Sequence, residues 1–355
     1  MKIKKLLAFG LVITTSFSLV ACSSSGGSDS NSTSSSKPDT TQSATASTPE
    51  PKSEPEKAPE PEPTPEPVAP STIVVEGYDA EKNIIDIEVP YMPERIVTID
   101  YVALDLLLEL GYGDKIVGAA QSGLPAYLAE ACKQYNIPDL GGLKEYDLEQ
   151  MMSLEPDVIF SSGRTVSAYD TLTMIAPTIA TSLDYDDVYN SFEELTRRNA
   201  SIIGGEDQVE GILADYAKRV EKLQEQAEGK TMLLAIVTGG SINTLGNGSR
   251  GSIIGTTIGF ENLAENVDTT HGDTSSYEFF LDVDPDYIFV IDRDTANSTD
   301  GATSAQELLD NEIMNQTQAF QNDNIIYLEP NIWYLVEGGL TAMDVMLSDI
   351  ESAFK

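Results

Sequence analysis

Asp147-Leu148-Glu149 leads through Leu154-Glu155-Pro156-Asp157-Val158-Ile159-Phe160 to Gly163-Arg164. Ser276-Tyr277-Glu278 leads in the same way through Val283-Asp284-Pro285-Asp286-Tyr287-Ile288-Phe289 to Asp292-Arg293. Glu, Pro, Asp and Arg recur at one constant offset, in the pairs Glu149/Glu278, Pro156/Pro285, Asp157/Asp286 and Arg164/Arg293. Each stretch reads as a helix start, a turn, a short apolar strand and an arginine at the strand's end. A Pro-Asp turn before a strand is a common unit. The matched Glu and Arg make it one structural unit used twice, once in each of two lobes.

The surrounding sequence has the same rhythm. Ile73–Glu76 and Ile84–Val89 are β-rich runs flanking Asp79–Asn83, which reads as an opening hairpin. Arg95–Ile99 reads as a strand feeding an apolar helix, Ala103–Leu110, closed by Gly111. Further short apolar runs lie at Ile116–Ala119, Thr178–Ala180, Met232–Val237 and Ile325–Leu328, with helical patterns between most of them. Such alternation predicts an α/β fold with mainly parallel sheets. Glu206–Glu228 breaks the rhythm. Val209, Ile212, Leu213, Tyr216, Val220 and Leu223 recur there at helical spacing, with no proline and no close to the pattern before Gly229. A helix of that length spans roughly 30 Å, and it reads as the connection between two lobes, with a long peripheral helix as the plainer alternative.

Chain ends complete the domain plan. Lys2, Lys4 and Lys5 precede an apolar run that ends in Leu19-Val20-Ala21-Cys22, so residues 1–22 read as an export signal too short to span a bilayer comfortably. Small residues before Cys22 resemble a bacterial lipobox, which implies that Cys22 is lipidated and anchors the chain without a transmembrane helix. Residues 23–70 are rich in Ser, Pro and Glu and nearly free of large apolar residues, so they read as a disordered spacer. The folded part is then 71–204 as the N-terminal lobe, 205–229 as the connecting helix and 230–355 as the C-terminal lobe. A tether of this length suits a Gram-positive wall, with the domain on the extracellular face of the membrane.

Composition excludes several functions. The chain has 355 residues, with 21 Lys+Arg against 58 Asp+Glu, one His and a net charge of −37. The leader's three lysines, and the spacer's eight acids against three lysines, leave −35 on the folded part. Nucleic-acid binding needs the opposite balance. Two cysteines and one histidine exclude a disulfide framework and multi-Cys or multi-His metal sites. Cys132 reads as a buried small hydrophobe. The chain has no G-x-S-x-G elbow and no convincing Ser-His-Asp set, which argues against a hydrolase.

Geometry places the repeated residues. A helix packed antiparallel to the strand that follows it starts at that strand's carboxyl end, where open α/β sheets bind ligands. Glu149 and Arg164 share that end in one lobe, Glu278 and Arg293 in the other, so facing lobes put both arginines in a cleft and both glutamates on its rim. Arg250 lies in the Gly-rich loop Leu245–Gly251, which lacks phosphate-loop spacing. Three of the domain's seven arginines are thus candidates for one anion site. Local pairing is the plainer alternative, with Asp292 or Asp294 beside Arg293.

Thr270-His271-Gly272, Glu278-Phe279, Pro285–Arg293, Ser162-Gly163-Arg164, Gly248-Ser249-Arg250 and Tyr327–Leu335 together resemble the ferric siderophore-binding lipoproteins of bacterial ABC importers, most of all their catecholate-binding branch. The resemblance runs from about residue 73 to 355. It implies a two-lobed periplasmic-binding-protein-like fold joined by one long helix, a monomer, no enzymatic activity and no permanent cofactor. The implied ligand is an Fe(III)-siderophore, and the implied partner is an ABC permease dimer with its ATPase. Arg164, Arg250 and Arg293 would neutralise the ferric catecholate, and His271 and Tyr334 would fill two iron positions, as competent nitrogen and phenolate ligands. Glu149 and Glu278 would dock on the permease, although acidic residues suit helix N-termini in any case. The family's arginine loop commonly continues with an aromatic, whereas Gly251-Ser252 follows Arg250 here, which leaves room for a different ligand shape. Haem, a corrinoid or a hydroxamate siderophore are same-fold alternatives. Read without the resemblance, His271 is a surface-loop residue. Trp333 is expected in the core, ahead of a last helix over Gly339–Phe354.

Overall fold

The computed structural model describes residues 71–265, 267, 273–299 and 301–355; the leader with Cys22, the 23–70 spacer and His271 lie outside them. The chain opens with an antiparallel hairpin, β1 (Thr72–Tyr78) and β2 (Ile84–Pro90). Its turn is tied by Asp79, whose Oδ1 accepts the backbone N–H groups of Glu81 and Asn83. An Asx-type turn of this sort is why the acidic residue stands at that corner.

The first lobe holds an all-parallel sheet of β3 (Ile96–Thr98), β4 (Ile116–Ala119), β5 (Val158–Ser162) and β6 (Thr178–Thr181), ordered β4-β3-β5-β6. The second lobe's sheet contains β7 (Thr231–Thr238), β8 (Ser241–Leu245), β9 (Glu261–Asn262), β10 (Asp273–Thr274), β11 (Tyr287–Asp292) and β12 (Ile325–Tyr327). There β7, β11 and β12 pair in parallel, while β8 pairs antiparallel with both β7 and β10. The antiparallel β8 departs from the sequence reading, which placed only a Gly-rich loop after β7. Gly239 and Gly240 explain it. Both adopt positive φ, 60° and 71°, between the paired residues Thr238 and Ser241, the arrangement that a two-residue hairpin turn demands.

The repeat is visible at the backbone. Glu155 (φ 44°) and Asp284 (φ 45°) each take a left-handed conformation just before the Pro-Asp pair. Asp157 Oδ2 then accepts the N–H groups of Glu94 and Arg95 at 3.0 and 2.9 Å, at the entry to β3. Asp286 Oδ2 accepts the N–H and hydroxyl of Thr231 at 2.9 and 3.0 Å, at the entry to β7. Each aspartate therefore clamps the start of the neighbouring central strand and fixes the strand register.

The long helix spans Glu206–Ala227 and buries Val209, Leu213, Tyr216, Val220 and Leu223 along one stripe. It lies between the two sheets in the chain. The last helix, Leu340–Ser352, packs against it and against the first helix, Tyr101–Glu109. Tyr216 donates to the Leu340 carbonyl at 2.9 Å, and Arg219 pairs with Asp344 and Glu351. One hydrophobic cluster runs from Ile96 and Phe160 in the first lobe through Leu213 and Met343 to Phe289 in the second. Cys132 is buried in it. Among the described residues, no helix is long and apolar enough to cross a membrane.

Candidate functional site

Three of the predicted residues meet around one aromatic ring. Arg164 follows β5, and Arg293 opens the turn of helix Arg293–Ala296 directly after β11, so both stand at carboxyl ends of parallel strands. Arg250 comes from the loop after β8. Their guanidinium carbons lie 5.5, 5.5 and 4.6 Å from the centre of the Tyr334 ring for Arg164, Arg293 and Arg250 respectively. Cation–π attraction holds guanidinium groups over a ring that also blunts their mutual repulsion.

Tyr334 is fixed from below. It sits on the short helix Pro330–Leu335, opened by proline at its first position. Trp333 beside it is fully buried, and its indole N–H donates to Asp349 Oδ2 at 2.8 Å. The same oxygen accepts the Glu329 N–H at 2.8 Å. Trp333 is thus the anchor that aims Tyr334 into the cleft.

Hydrogen bonds distinguish the three arginines. Arg293 donates from Nε to the Tyr334 hydroxyl at 2.8 Å and from Nη1 to Thr238 Oγ1 at 2.6 Å; its nearest carboxylate, Asp294, is 3.9 Å away. Arg164 is exposed and donates to the Tyr334 carbonyl at 2.8 Å. Arg250 is buried, donates to the Trp333 carbonyl at 3.2 Å, and meets Glu337 Oε2 at 3.3 Å. Its Nε, also buried, has no partner.

The electrostatics follow from this packing. Burial pushes the Tyr334 phenol up, but the Arg293 hydrogen bond and the charges of Arg293, Arg250 and Arg164 outweigh it, leaving the phenol below its ordinary value of 10.0. Desolvation in the cleft and the like charge of Arg250 pull Arg164 down. Burial pushes the Asp100 carboxyl up to about 7, against hydrogen bonds from the N-terminus of its own helix.

These groups line a cleft of about 790 Å³ with walls from both lobes, within the range of small-molecule sites. Sequence reasoning missed several of its residues. Lys82, from the β1–β2 turn, and Lys144 line it without any carboxylate in ion-pair range, and Tyr185 and Glu337 form part of its wall. Only Glu337 left a local signal, as a lone carboxylate inside the apolar run Ile332–Leu340. Arg293 is not part of this lining and reaches the site through Tyr334. Among the described residues, no group of three His, Cys, Asp or Glu side chains is placed to hold a metal ion.

The predicted rim residues have the expected local geometry. Glu149 lies exposed in the first turn of helix Leu148–Ser153, capped by Asp147, and Glu278 in the first turn of helix Tyr277–Val283, capped by Ser276. Each stands at the start of the helix that precedes an arginine-bearing strand.

Comparison with known proteins agrees with this architecture. A family model described as periplasmic binding protein matches residues 96–332. The chain belongs to that family. Its members are solute-binding proteins rather than enzymes. The petrobactin-binding protein YclQ of Bacillus subtilis (strain 168) is 32% identical over 271 residues, covering 76% of this chain and 84% of that protein. Its crystal structure superposes with a TM-score of 0.74 over 80% of this chain and 99% of that one. The iron uptake ABC transporter substrate-binding protein PiuA of Streptococcus pneumoniae is 30% identical, with a TM-score of 0.74 over 81% and 100% of the two chains. The periplasmic catecholate-siderophore binding protein VctP of Vibrio cholerae is 27% identical, with a TM-score of 0.71 over 79% and 100%.

Proposed function

We propose that this protein captures an Fe(III)-siderophore of the catecholate type in the cleft and delivers it to an ABC permease for iron uptake. The observation that carries the reading is the convergence of Arg164, Arg250 and Arg293 on Tyr334 in a strongly acidic protein, with the Arg250 Nε buried and unpartnered. A buried donor without an acceptor costs stability, and a ligand oxygen would satisfy it. The names of YclQ, PiuA and VctP, which cite petrobactin, iron uptake and a catecholate siderophore, point the same way.

The chemistry is electrostatic. Deprotonated catechol oxygens outweigh the charge of ferric iron, so the complex is an anion. An arginine about 5 Å from an anionic oxygen contributes roughly 3 kcal/mol at an effective dielectric of 20, before desolvation. Two catecholates leave two iron positions open. The lowered phenol of Tyr334 supplies a hard oxygen for one, and His271, outside the described residues, is assigned the other.

The rest of the proposal concerns position. Cys22 carries the lipid anchor on the extracellular face, and 23–70 spans the wall. Lobes 71–204 and 230–355 move little about the 205–229 helix, an assignment supported by the shared hydrophobic cluster. Glu149 and Glu278 dock on the permease dimer, which is driven by its own ATPase.

Titrating the full-length protein in detergent with a ferric bis-catecholate, following Trp333 fluorescence and the visible charge-transfer band, tests the reading. Saturable binding that weakens in Arg164→Ala and Arg250→Ala is expected. Absence of binding, or preferential binding of ferric hydroxamate or haem, overturns the catecholate assignment.

A further inference from the structure

The three arginines do not offer equal charge. Glu337 sits under the cleft with its side chain 2% exposed. Its Oε2 faces Arg250 Nη1 at 3.3 Å, and its Oε1 accepts the Gly251 N–H at 2.7 Å. Burial pushes this carboxyl up, and the charge of Arg250, the Gly251 N–H and the nearby Tyr185, from the loop after β6, oppose that. The carboxylate is therefore held by both oxygens, one on Arg250 and one on the Gly251 N–H.

Arg164 and Arg293 have weaker counter-ions, since Asp100 acts on Arg164 without an ion-pair contact and Asp294 stands at the limit of ion-pair range from Arg293. Arg164 bonds a backbone carbonyl, and Arg293 bonds two hydroxyls with its nearest carboxylate at 3.9 Å. Elsewhere in the lining the formal charges of Lys82 and Lys144 equal those of Asp184 and Asp186 in number, although no ion pair joins them. Asp100, the remaining acid of the lining, accepts the Val102 N–H in capping its own helix. The balance is therefore decided at the floor, by Arg250 and its partner. A buried ion pair is a poor stabilising device, because desolvation offsets much of its attraction. Its place beneath a ligand cleft calls for an electrostatic reason.

We propose that Glu337 sets the ligand charge that the cleft selects. By neutralising Arg250 it leaves Arg164 as the lining guanidinium with no carboxylate in ion-pair range, with Arg293 set behind Tyr334, and favours a monoanionic ferric bis-catecholate over a trianionic ferric tris-catecholate. Arg250 then acts mainly as a hydrogen-bond donor, which agrees with its unpartnered Nε. The inference rests on the proposed ferric-catecholate reading.

The test is a charge series in the full-length protein: wild type, Glu337→Gln, Arg250→Gln and the double variant Glu337→Gln/Arg250→Gln. Each is titrated with one ferric bis-catecholamide and one ferric tris-catecholamide complex. Glu337→Gln adds one positive charge and keeps an acceptor for Gly251. It should raise the tris-to-bis affinity ratio by tenfold or more, on the order of the extra attraction for a trianion across a partly screened 5 Å. Arg250→Gln should lower that ratio, and the double variant should restore the wild-type value. Equal losses for both complexes in Glu337→Gln would reduce Glu337 to a structural role and overturn the proposal. An unchanged ratio would overturn it as well, by showing that the residue does not set the charge. Failure of the wild type to bind either complex would instead refute the catecholate reading itself.

Discussion

Arg293→Met tests the central contact of the site without any ligand. In the wild type the Arg293 Nε donates to the Tyr334 hydroxyl at 2.8 Å, and this bond is the foremost influence holding the phenol below its ordinary range against burial. A hydrogen bond from a charged donor is worth about 1.5–3 kcal/mol. The Arg293 side chain is 33% exposed, which argues for the lower half of that range. Its loss should lower the Tyr334 ionisation constant by about tenfold or more, since a factor of ten corresponds to about 1.4 kcal/mol. Arg164→Met is the control. Its guanidinium lies at the same 5.5 Å from the ring centre, but it bonds the backbone carbonyl rather than the phenol oxygen. Its effect should be smaller. The assay is the ultraviolet phenolate difference spectrum between each variant and the same variant carrying Tyr334→Phe, recorded against pH. That subtraction removes the other tyrosines, among them Tyr101 and Tyr185, which burial pushes up to about 12. Equal shifts in Arg293→Met and Arg164→Met would show that only long-range charge matters. No shift in either would refute the assignment of Tyr334 as an arginine-activated phenol.

Further outcomes follow from the clamps, the core and the rim. Asp286→Ala removes the acceptor of the Thr231 N–H and hydroxyl, and should cost about 2–3 kcal/mol in urea unfolding; Thr231→Val keeps the Thr231 N–H bond but also orphans the Asp286 N–H, and should cost a similar amount. Asp105 is 1% exposed, with Oδ2 accepting the Ala342 N–H at the start of the last helix and Oδ1 unpartnered. Burial pushes its carboxyl from 3.8 up to about 6. The folded state thus keeps a proton that the unfolded chain gives up, so this residue's contribution is full below pH 4 and is lost as pH rises to 6. Asp105→Asn should flatten that part of the stability profile by up to about 3 kcal/mol in thermal melts. Glu149→Ala combined with Glu278→Ala should abolish iron uptake by cells while leaving ligand affinity unchanged, because both side chains are exposed on the outer turns of their helices.

Local sequence carried much of this structure. The strands begin and end within a few residues of the apolar runs, because short β-branched segments bounded by Gly, Pro and Asp have few other ways to satisfy their backbone. The repeated Pro-Asp unit was legible since its aspartates act locally in space, on strand entries that the same unit creates. Other features depend on partners far apart in the chain. Glu337 and Arg250 are 87 residues apart, and nothing near either one names the other. The packing of the last helix against the first lobe, through Ala342 to Asp105, and against the connecting helix, through Leu340 to Tyr216, is likewise invisible to periodicity, which reports a buried face but not what covers it. The β8 strand was missed for another reason. Gly239-Gly240 was a hairpin signal, but the following Ser241–Leu245 is too short and too polar for its alternation to stand out.

The arginine census shows why the site was readable at all. Arg197 meets Glu193 and Glu210, and Arg219 meets Asp344 and Glu351, each at 2.5–2.9 Å. Of the other two domain arginines outside the site, Arg95 donates to the Leu154 and Glu155 carbonyls and Arg198 has a buried Nε without a partner, so what sets the site apart is convergence rather than lack of carboxylates. Arg164 and Arg293 bond a carbonyl and hydroxyls, and Arg250 finds its one carboxylate only in the wall behind it. In so acidic a protein, an arginine far from surface carboxylates is held there by the fold, at the cost of ion pairs it could otherwise form. On the proposed reading, an anionic ligand would offset that cost. On the same reading, the surrounding negative field would discourage an anionic ligand elsewhere on the surface, so acidity and the arginine cluster would act together, with Glu337 setting how much charge the cleft takes.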